Sequence, residues 1–412
     1  MRNPWTAFKD PTLPKNYFRV EITILRCLGI ELIKEETLAY SIYSKIFLLY
    51  TVLLYTGVEI YEIYAQLGEL NAMLGVLNYL ITHLMGAVKT GLLYWNRKKI
   101  GEMMMSLHQP PFKPDETRGG KEEERLIRDA IKKTEIILIV YFLVVSGTIF
   151  SGVYNACIIR IRKPKEQWTF PYAPTMSLGD WLQNSPYFEL GILYQFWGVL
   201  SFAGVIATTY VLLSSIMAHI SVQMKILGNS FRNLKSRAEI MAGSQKDDAC
   251  IVNKHMETLM REAVKHHIKS LDMAKEMESL CSLMILSIFV ASVILLCFLL
   301  YFASLYPLAS VEFFQNFCYW WIIVCQVGMY CFWGNEVSLE SDEVAKAAAE
   351  LDWPGSTKKV TNAVVMVIRR AQRPLYITAG KFVPLSMEVF MSIIKGSFSY
   401  FMVLRQTQGP DA

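Results

Sequence analysis

Near the carboxyl end of the chain, the stretch SMEVFMSIIKGSFSYFMVLRQTQ sets Glu388, Ser392, Lys395, Ser399 and Gln406 at offsets of 0, 4, 7, 11 and 18 residues. On a helix turning about 100° per residue these five fall within roughly 60° of one another, and Val403 sits at the edge of the same stripe. The remaining faces carry Val389, Phe390, Ile393, Ile394, Phe398, Phe401 and Leu404. A narrow polar edge on a greasy helix has two uses, because charges facing lipid are costly. It lines water, in which case several copies around an axis are needed, since one chain supplies only one stripe. Or it glues a bundle core, with Glu388 and Lys395 pairing neighbouring helices. In the first case a ring of Val403 side chains is a hydrophobic constriction able to close by dewetting, and Gln406 forms a polar outer mouth.

Other chemistry has little support. His255, His266 and His267 share one stretch, but no cysteine or paired carboxylate completes a metal set. The intramembrane Lys89 and Glu189 stand at no catalytic spacing, and the chain has no His-Glu-x-x-His, Gly-x-Ser-x-Gly, phosphate-loop or dinucleotide motif. The reading is therefore not an enzyme, with no cofactor, no metal and no nucleic-acid partner. The eight cysteines (27, 157, 250, 281, 297, 318, 325, 331) show no metal or redox spacing and read as buried small residues. A transporter is a weaker reading, because glycine-broken helix pairs at matching positions are not evident.

The elements that must hold the stripe follow from composition. Of 412 residues 53% are hydrophobic and only 19% charged, with a mean hydropathy of +0.29, which makes a bilayer the expected solvent. Seven segments are apolar over the roughly 20 residues a span requires: 38–62, 70–95, 135–159, 187–219, 279–305, 313–334 and 383–405. Thirty-three of the 41 Lys and Arg fall in the segment before span one and in the links between spans two and three, four and five, and six and seven. Positive links stay on the cytoplasmic face, so the amino terminus is expected inside and the carboxyl terminus outside. No removable signal peptide is read in the first residues.

From Val252 to Leu305 there is no proline or glycine, so one helix is expected to run far beyond the membrane, and span four to continue past His219. A third helix is predicted over Thr357–Gln372, with Arg369 and Arg370 in its last turn and Trp353 anchoring the loop before it. Pro374, Gly380 and Pro384 then break the chain before the last span. The expected organisation is an all-α integral membrane protein: a cytosolic segment 1–37, spans one to four over 38–219, a cytosolic helical hairpin over 220–278, and spans five and six over 279–334. A cytosolic anchor helix and hinge over 335–382, the polar-edged helix over 383–406 and an outer tail over 407–412 complete it.

The stretches YCFWGNEVSLESDEVAKAAAELDWPGS, Tyr330 to Ser356, and RRAQRPLYITAGKFVPLSMEVFMSIIKGSFSYFMVLRQ, Arg369 to Gln406, resemble the signature of the insect odorant receptor family. The likeness is specific over 330–406 and topological elsewhere. It implies an odorant-gated, non-selective cation channel of inverted topology, a tetramer around a central pore, with a cytosolic anchor domain and the shared odorant receptor co-receptor as partner. It implies a plasma-membrane location in an olfactory neuron dendrite. The co-receptor's last helix is similar at Tyr400, Phe401, Met402, Val403, Leu404 and Gln406, which implies Val403 as gate and Gln406 as pore-lining. The link over 220–278 is shorter than the co-receptor's, so the chain reads as a ligand-specific subunit. The sister group of insect gustatory receptors is the alternative.

The resemblance also implies a ligand pocket in the outer half of the bundle, among spans two, three, four and six. At those depths stand Tyr79 and His83, Val145 and Ile149, Phe188, Tyr194 and Trp197, and Tyr319, Trp320 and Ile323. Aromatic walls with a few hydroxyl or imidazole groups suit a small, volatile, uncharged ligand.

Overall fold

The computed structural model describes residues 16–68, 70–172 and 180–407. The expectations for 1–15 and for most of the tail, with Arg2, Lys9 and Lys15, lie outside these. The described chain is almost wholly helical: α1 Arg19–Cys27, α2 Leu38–Leu48, α3 Tyr55–Ala65, α4 Leu70–Ser106, α5 Lys121–Arg162, α6 Tyr187–Arg232, α7 Leu234–Ala242, α8 Ala249–Ser304, α9 Val311–Glu350, α10 Lys358–Ala371 and α11 Met387–Thr407. A π-helical turn, Leu49–Leu54, joins α2 to α3 into one rod. The strands β1 (Thr378–Ala379) and β2 (Val383–Pro384) pair antiparallel between α10 and α11.

Helix α6 runs through the middle. It is buried on every side from Gly204 to Ser221, which matches an apolar composition all round rather than along one stripe. Helices α4, α5, α8 and α9 pack about it. Glycine permits a close crossing: a Cβ on Gly86 would stand 2.3 Å from the Phe202 ring and 2.4 Å from the Ile206 terminal methyl, so adding one would displace these α6 side chains. The outer surface is greasy instead of polar, with Ile46, Leu53, Val140, Leu143, Phe150 and Val290 all more than half exposed. Water would not tolerate so large an apolar surface, whereas lipid does.

Among the described residues, six helices are long and apolar enough to cross a bilayer: α2–α3 taken together, α5, α6, α8, α9 and α11. Helix α4, read from sequence as span two, is also long enough to cross, and its residues 71–88 carry no Asp, Glu, Lys or Arg. Its polar side chains turn inward. Asn78, His83, Lys89 and Thr90 are buried against the bundle, while Leu84, Val88 and Trp95 face outward. Lys89 places its ammonium 3.1 Å from the centre of the Tyr210 ring, so an aromatic face meets the buried cation. Glu189, the other charge singled out with Lys89 from sequence, pairs with Arg160 at 2.8 Å.

Helix ends and membrane boundaries do not coincide. Helix α8 has 56 residues, about 84 Å at ~1.5 Å each against a hydrocarbon core of ~30 Å. The sequence reading anticipated this for α8 and for α6. It did not anticipate that α4, α5 and α9 also continue, α9 without a break from Val311 through residue 335 to Glu350. Charged helix formers such as Glu336, Glu340 and Lys346 end the apolar window without ending the helix.

The extensions form one basic-ended platform. Arg232 on α6 bonds Glu343 at 2.5 Å and Glu350 at 2.6 Å on α9, and Lys235 on α7 meets Asp352 at 2.5 Å. Helix α10 buries Val360, Val364, Val367 and Ala371 against it, and Trp353 packs half-buried beside them. The opposite face of α10 leaves Val365 and Met366 bare. The cysteine reading needs correction in part: Cys281, Cys297 and Cys331 are buried, but Cys27, Cys157 and Cys250 are exposed. Cys157 lies on the outward face of α5, where an apolar helix meets lipid and needs no burial within the chain.

Candidate functional site

At the end of the bundle away from the basic platform, α4, α5, α6 and α9 enclose a cavity of ≈ 270 Å³. Its walls recur at helical spacing: Tyr79, Thr82 and His83 on α4, Tyr141, Val145 and Ile149 on α5, Phe202 and Ile206 on α6, and Tyr319, Ile322, Ile323 and Gln326 on α9. Among the described residues, no Asp, Glu, Lys or Arg lines it. The polar groups on the wall are largely bonded to one another. The Thr82 and Tyr319 hydroxyls share a hydrogen bond, Gln326 Nε2 donates to the Tyr141 hydroxyl, and the Tyr172 hydroxyl donates to the Ile149 carbonyl at the outer end. The Gln326 carbonyl oxygen has no partner among the described residues and stays open to a donor.

His83 is held from behind. Its Nδ1 lies 2.6 and 2.8 Å from the two carboxylate oxygens of Glu59, a buried acid on α3. Tyr55 and Phe202 meet the ring edge to face at 5.2 and 4.6 Å. A carboxylate on one ring nitrogen fixes the ring's orientation and leaves Nε2 as its free polar atom. Neutral, aromatic and sparsely polar, the cavity suits a small uncharged molecule held by burial and one or two hydrogen bonds.

Six of the ten residues singled out from sequence come together here: Tyr79, His83, Val145, Ile149, Tyr319 and Ile323. Four lie elsewhere. Phe188 is packed between Trp168 and Phe170 at 4.9 and 4.8 Å. Tyr194 meets the Tyr50 and Tyr55 rings. Trp197 is 58% exposed on the outer face of α6, and Trp320 stacks beside Phe317. Sequence reasoning missed Thr82, Tyr141, Tyr172, Phe202 and Gln326. Stepping one helical turn inward from Val145 and Ile323 would have found Tyr141 and Gln326. Tyr172 comes from a loop, where no period points to it.

Helix α11 stands on the far side of α9 and α8. It sets Ile393 in the main core, with Val389, Phe390 and Ile394 packed against it, and Phe401 against Cys297 and Tyr301. The polar edge faces the other way. Glu388, Ser392, Lys395, Ser399, Val403 and Gln406 are all exposed, and neither Glu388 nor Lys395 has an ion-pair partner among the described residues. Only 11% of the α11 span is buried inside the chain, against 83% for α6.

The hinge before α11 is pinned. Gly380 and Lys381 turn the chain at φ +61° and +66°, and the Gly380 N–H donates to the Ser282 carbonyl of α8 at 3.0 Å. Helix α9 touches both features: its outer half lines the cavity and its middle lies against Phe390 of α11 at Gly328.

Residues 69–398 match the family described as 7tm Odorant receptor. Among curated relatives, the chain is 25% identical over 214 residues to putative odorant receptor 92a of Drosophila melanogaster, covering 52% of this chain and 50% of that one. It is 27% identical over 227 residues to odorant receptor 10 of Aedes albopictus, covering 54% and 56%. The odorant receptor coreceptor of Aedes aegypti matches over a shorter stretch, 31% identical over 83 residues, which is 20% of this chain and 17% of that one. The chain thus spans about half the length of the curated relatives it matches first. Among solved structures, insect olfactory receptor OR5 from Machilis hrabei superposes with a TM-score of 0.77, and its complex with eugenol with 0.74. Each is 15% identical and covers 95% of this chain and 98% of the other, a likeness that carries the fold alone. This multi-pass helical membrane protein therefore belongs to the insect odorant receptor family.

Proposed function

We propose that the chain is the ligand-specific subunit of an odorant-gated, non-selective cation channel. A small neutral volatile occupies the cavity. Its contacts with Tyr319, Ile323 and Gln326 bias the position of α9, and α9 passes the shift to α11, whose polar edge lines a pore shared with other subunits. Val403 closes that pore and Gln406 forms its outer mouth. The observation that carries this reading is the bare edge of α11: two charges and two serines point away from their own chain's core on a helix of membrane-spanning length. Among the described residues the bundle-glue reading finds no ion-pair partner for Glu388 or Lys395.

The subunits completing the pore are copies of the odorant receptor co-receptor, in a heterotetramer joined through the platform where Val365 and Met366 are exposed. The platform lies in the cytosol, as its lysines and arginines favour, with the amino terminus inside and the carboxyl terminus outside. The domain divisions read from sequence, with 383–406 as the pore-lining helix, follow the same frame, and the plasma membrane is the site of action.

The test is to express the chain with and without the co-receptor and record currents against a panel of neutral volatiles, eugenol among them. Ligand-evoked cation current that requires both chains is the expected result. In that assay Tyr319→Ala removes a wall and the Thr82 hydrogen bond. Ligand potency is expected to fall at least about tenfold, which corresponds to ~1.4 kcal/mol, with maximal current retained. Trp197→Ala, away from the cavity, is expected to leave potency unchanged. The reverse pattern would place the ligand elsewhere.

A further inference from the structure

A second, apolar hollow of ≈ 480 Å³ lies on the outer surface between α5 and α9, and Phe390 of α11 forms part of its floor. Val140, Val144, Trp321 and Phe332 on its rim are 38–53% exposed, all on membrane-spanning helices, so the hollow opens to the hydrocarbon of the bilayer. It shares two residues with the inner cavity. Tyr141 and Ile322 line both, which makes the wall between the two spaces one side chain thick.

That wall stands apart from the main core. Tyr141 and Ile322 pack with Ala207 in a small buried cluster of their own. On the wall Tyr141 is tied to α9 by the bond from Gln326 Nε2. A wall that is one residue thick, separate from the main core and latched by a hydrogen bond can swing without unpacking the bundle.

We propose that a small, neutral, apolar ligand dissolved in the bilayer is admitted to the cavity sideways, through the hollow between α5 and α9, with Tyr141 and Ile322 as the door. The occupant of the hollow is the ligand itself in transit. Its chemistry matches on both sides: the hollow is lined almost wholly by aliphatic and aromatic groups, and the cavity adds the hydroxyls and the Gln326 carbonyl that hold the ligand. This rests on the reading of the inner cavity as the ligand site. A door changes arrival and departure together, so narrowing the passage slows both without altering equilibrium affinity.

The experiment uses N-phenylmaleimide, a neutral lipid-soluble thiol reagent, on the full-length chain in lipid membranes. Ala203→Cys places a thiol on the α6 wall of the cavity, and peptide mass spectrometry follows its labelling. The exposed native Cys157 serves as the internal standard. Val144→Phe, on the lipid-facing rim, is expected to slow labelling of that thiol at least fivefold with Cys157 unaffected. Gly328→Leu, where an added Cβ meets only Phe390 at ordinary contact distance and the rest of the side chain fills the hollow, is expected to do the same. Labelling unchanged by both substitutions, or no labelling of the cavity thiol in the unplugged chain, overturns the proposal. A lipid chain lodged permanently in the hollow gives the second of these results. Failure of the cavity as the ligand site shows separately, as ligand potency indifferent to Tyr319→Ala while the labelling pattern stands.

Discussion

Val403→Ala is expected to raise the ligand-free current of the assembled channel by about tenfold relative to its maximal ligand-evoked current. Val403 is 55% exposed at the edge of the polar stripe, and the packed face of α11 gains nothing from it. In a closed ring, valines from neighbouring subunits meet across the axis and exclude water. Removing two methyl groups per copy costs that contact about 1.6 kcal/mol per copy at ~0.8 kcal/mol per methyl-sized group. It also widens the ring beyond the size at which a pore dries. One such loss accounts for roughly a tenfold change in the ratio of open to closed channels. Patch-clamp recording of unstimulated cells co-expressing the co-receptor measures it. An unchanged leak, in an assembly that still responds to ligand, would remove Val403 as the gate.

The second large effect concerns folding. Gly101→Ala is expected to cost on the order of 3 kcal/mol, toward the upper end of what overpacking brings. A Cβ at position 101 would lie 1.9 Å from the Leu32 carbonyl oxygen and 2.9 Å from its carbon. The obstacle is backbone, so no side-chain rotation relieves it. Either the link between α1 and α2 lifts off α4, or α4 bends away from the core. Around this crossing Phe18, Leu25, Ile30, Ile100 and Met104 are fully buried in one cluster, so displacement exposes apolar surface that now stabilises the fold. The expected outcome is a thermal unfolding midpoint lowered by several degrees in detergent and a reduced yield of folded protein. A midpoint equal to wild type would mean that the Leu32 contact does not constrain the fold.

How much of this was legible in the sequence depends on the range of the interaction. The long helix α8 was readable from a run without proline or glycine, α10 from its valines and terminal arginines, and the edge of α11 from five polar residues in phase. Each is a local pattern along one element. The continuation of α9 to Glu350 was not readable, because hydropathy reports where lipid ends and helix propensity reports where the helix ends. The latch between Tyr141 and Gln326 joins residues 185 positions apart, and the Gly101 contact with Leu32 joins a helix to a loop. Such pairs exist only once the bundle is assembled.

The same division applies to the cavity. Tyr79, His83, Tyr319 and Ile323 were named because the family resemblance implies a pocket at their depth, and a spacing of four sets each pair on one helix face. On α6 the phase of Trp197 turns it to lipid, whereas Phe188 lies eleven residues before Val199 of the cavity wall, about 16 Å along the axis, and packs in a separate cluster. Aromatic content at a given depth therefore identifies a membrane level, and helical phase decides which side of the wall a ring faces.

The account stands or falls on whether the bare edge of α11 meets water in a shared conduit. Single cysteines at Ser392 and Ser399, on that edge, and at Ile393, on the packed face, can be challenged with a cationic methanethiosulfonate reagent in channels held open by ligand. The account predicts rapid reaction and loss of current at 392 and 399, with position 393 inert. Equal protection at all three positions in a conducting assembly would contradict it.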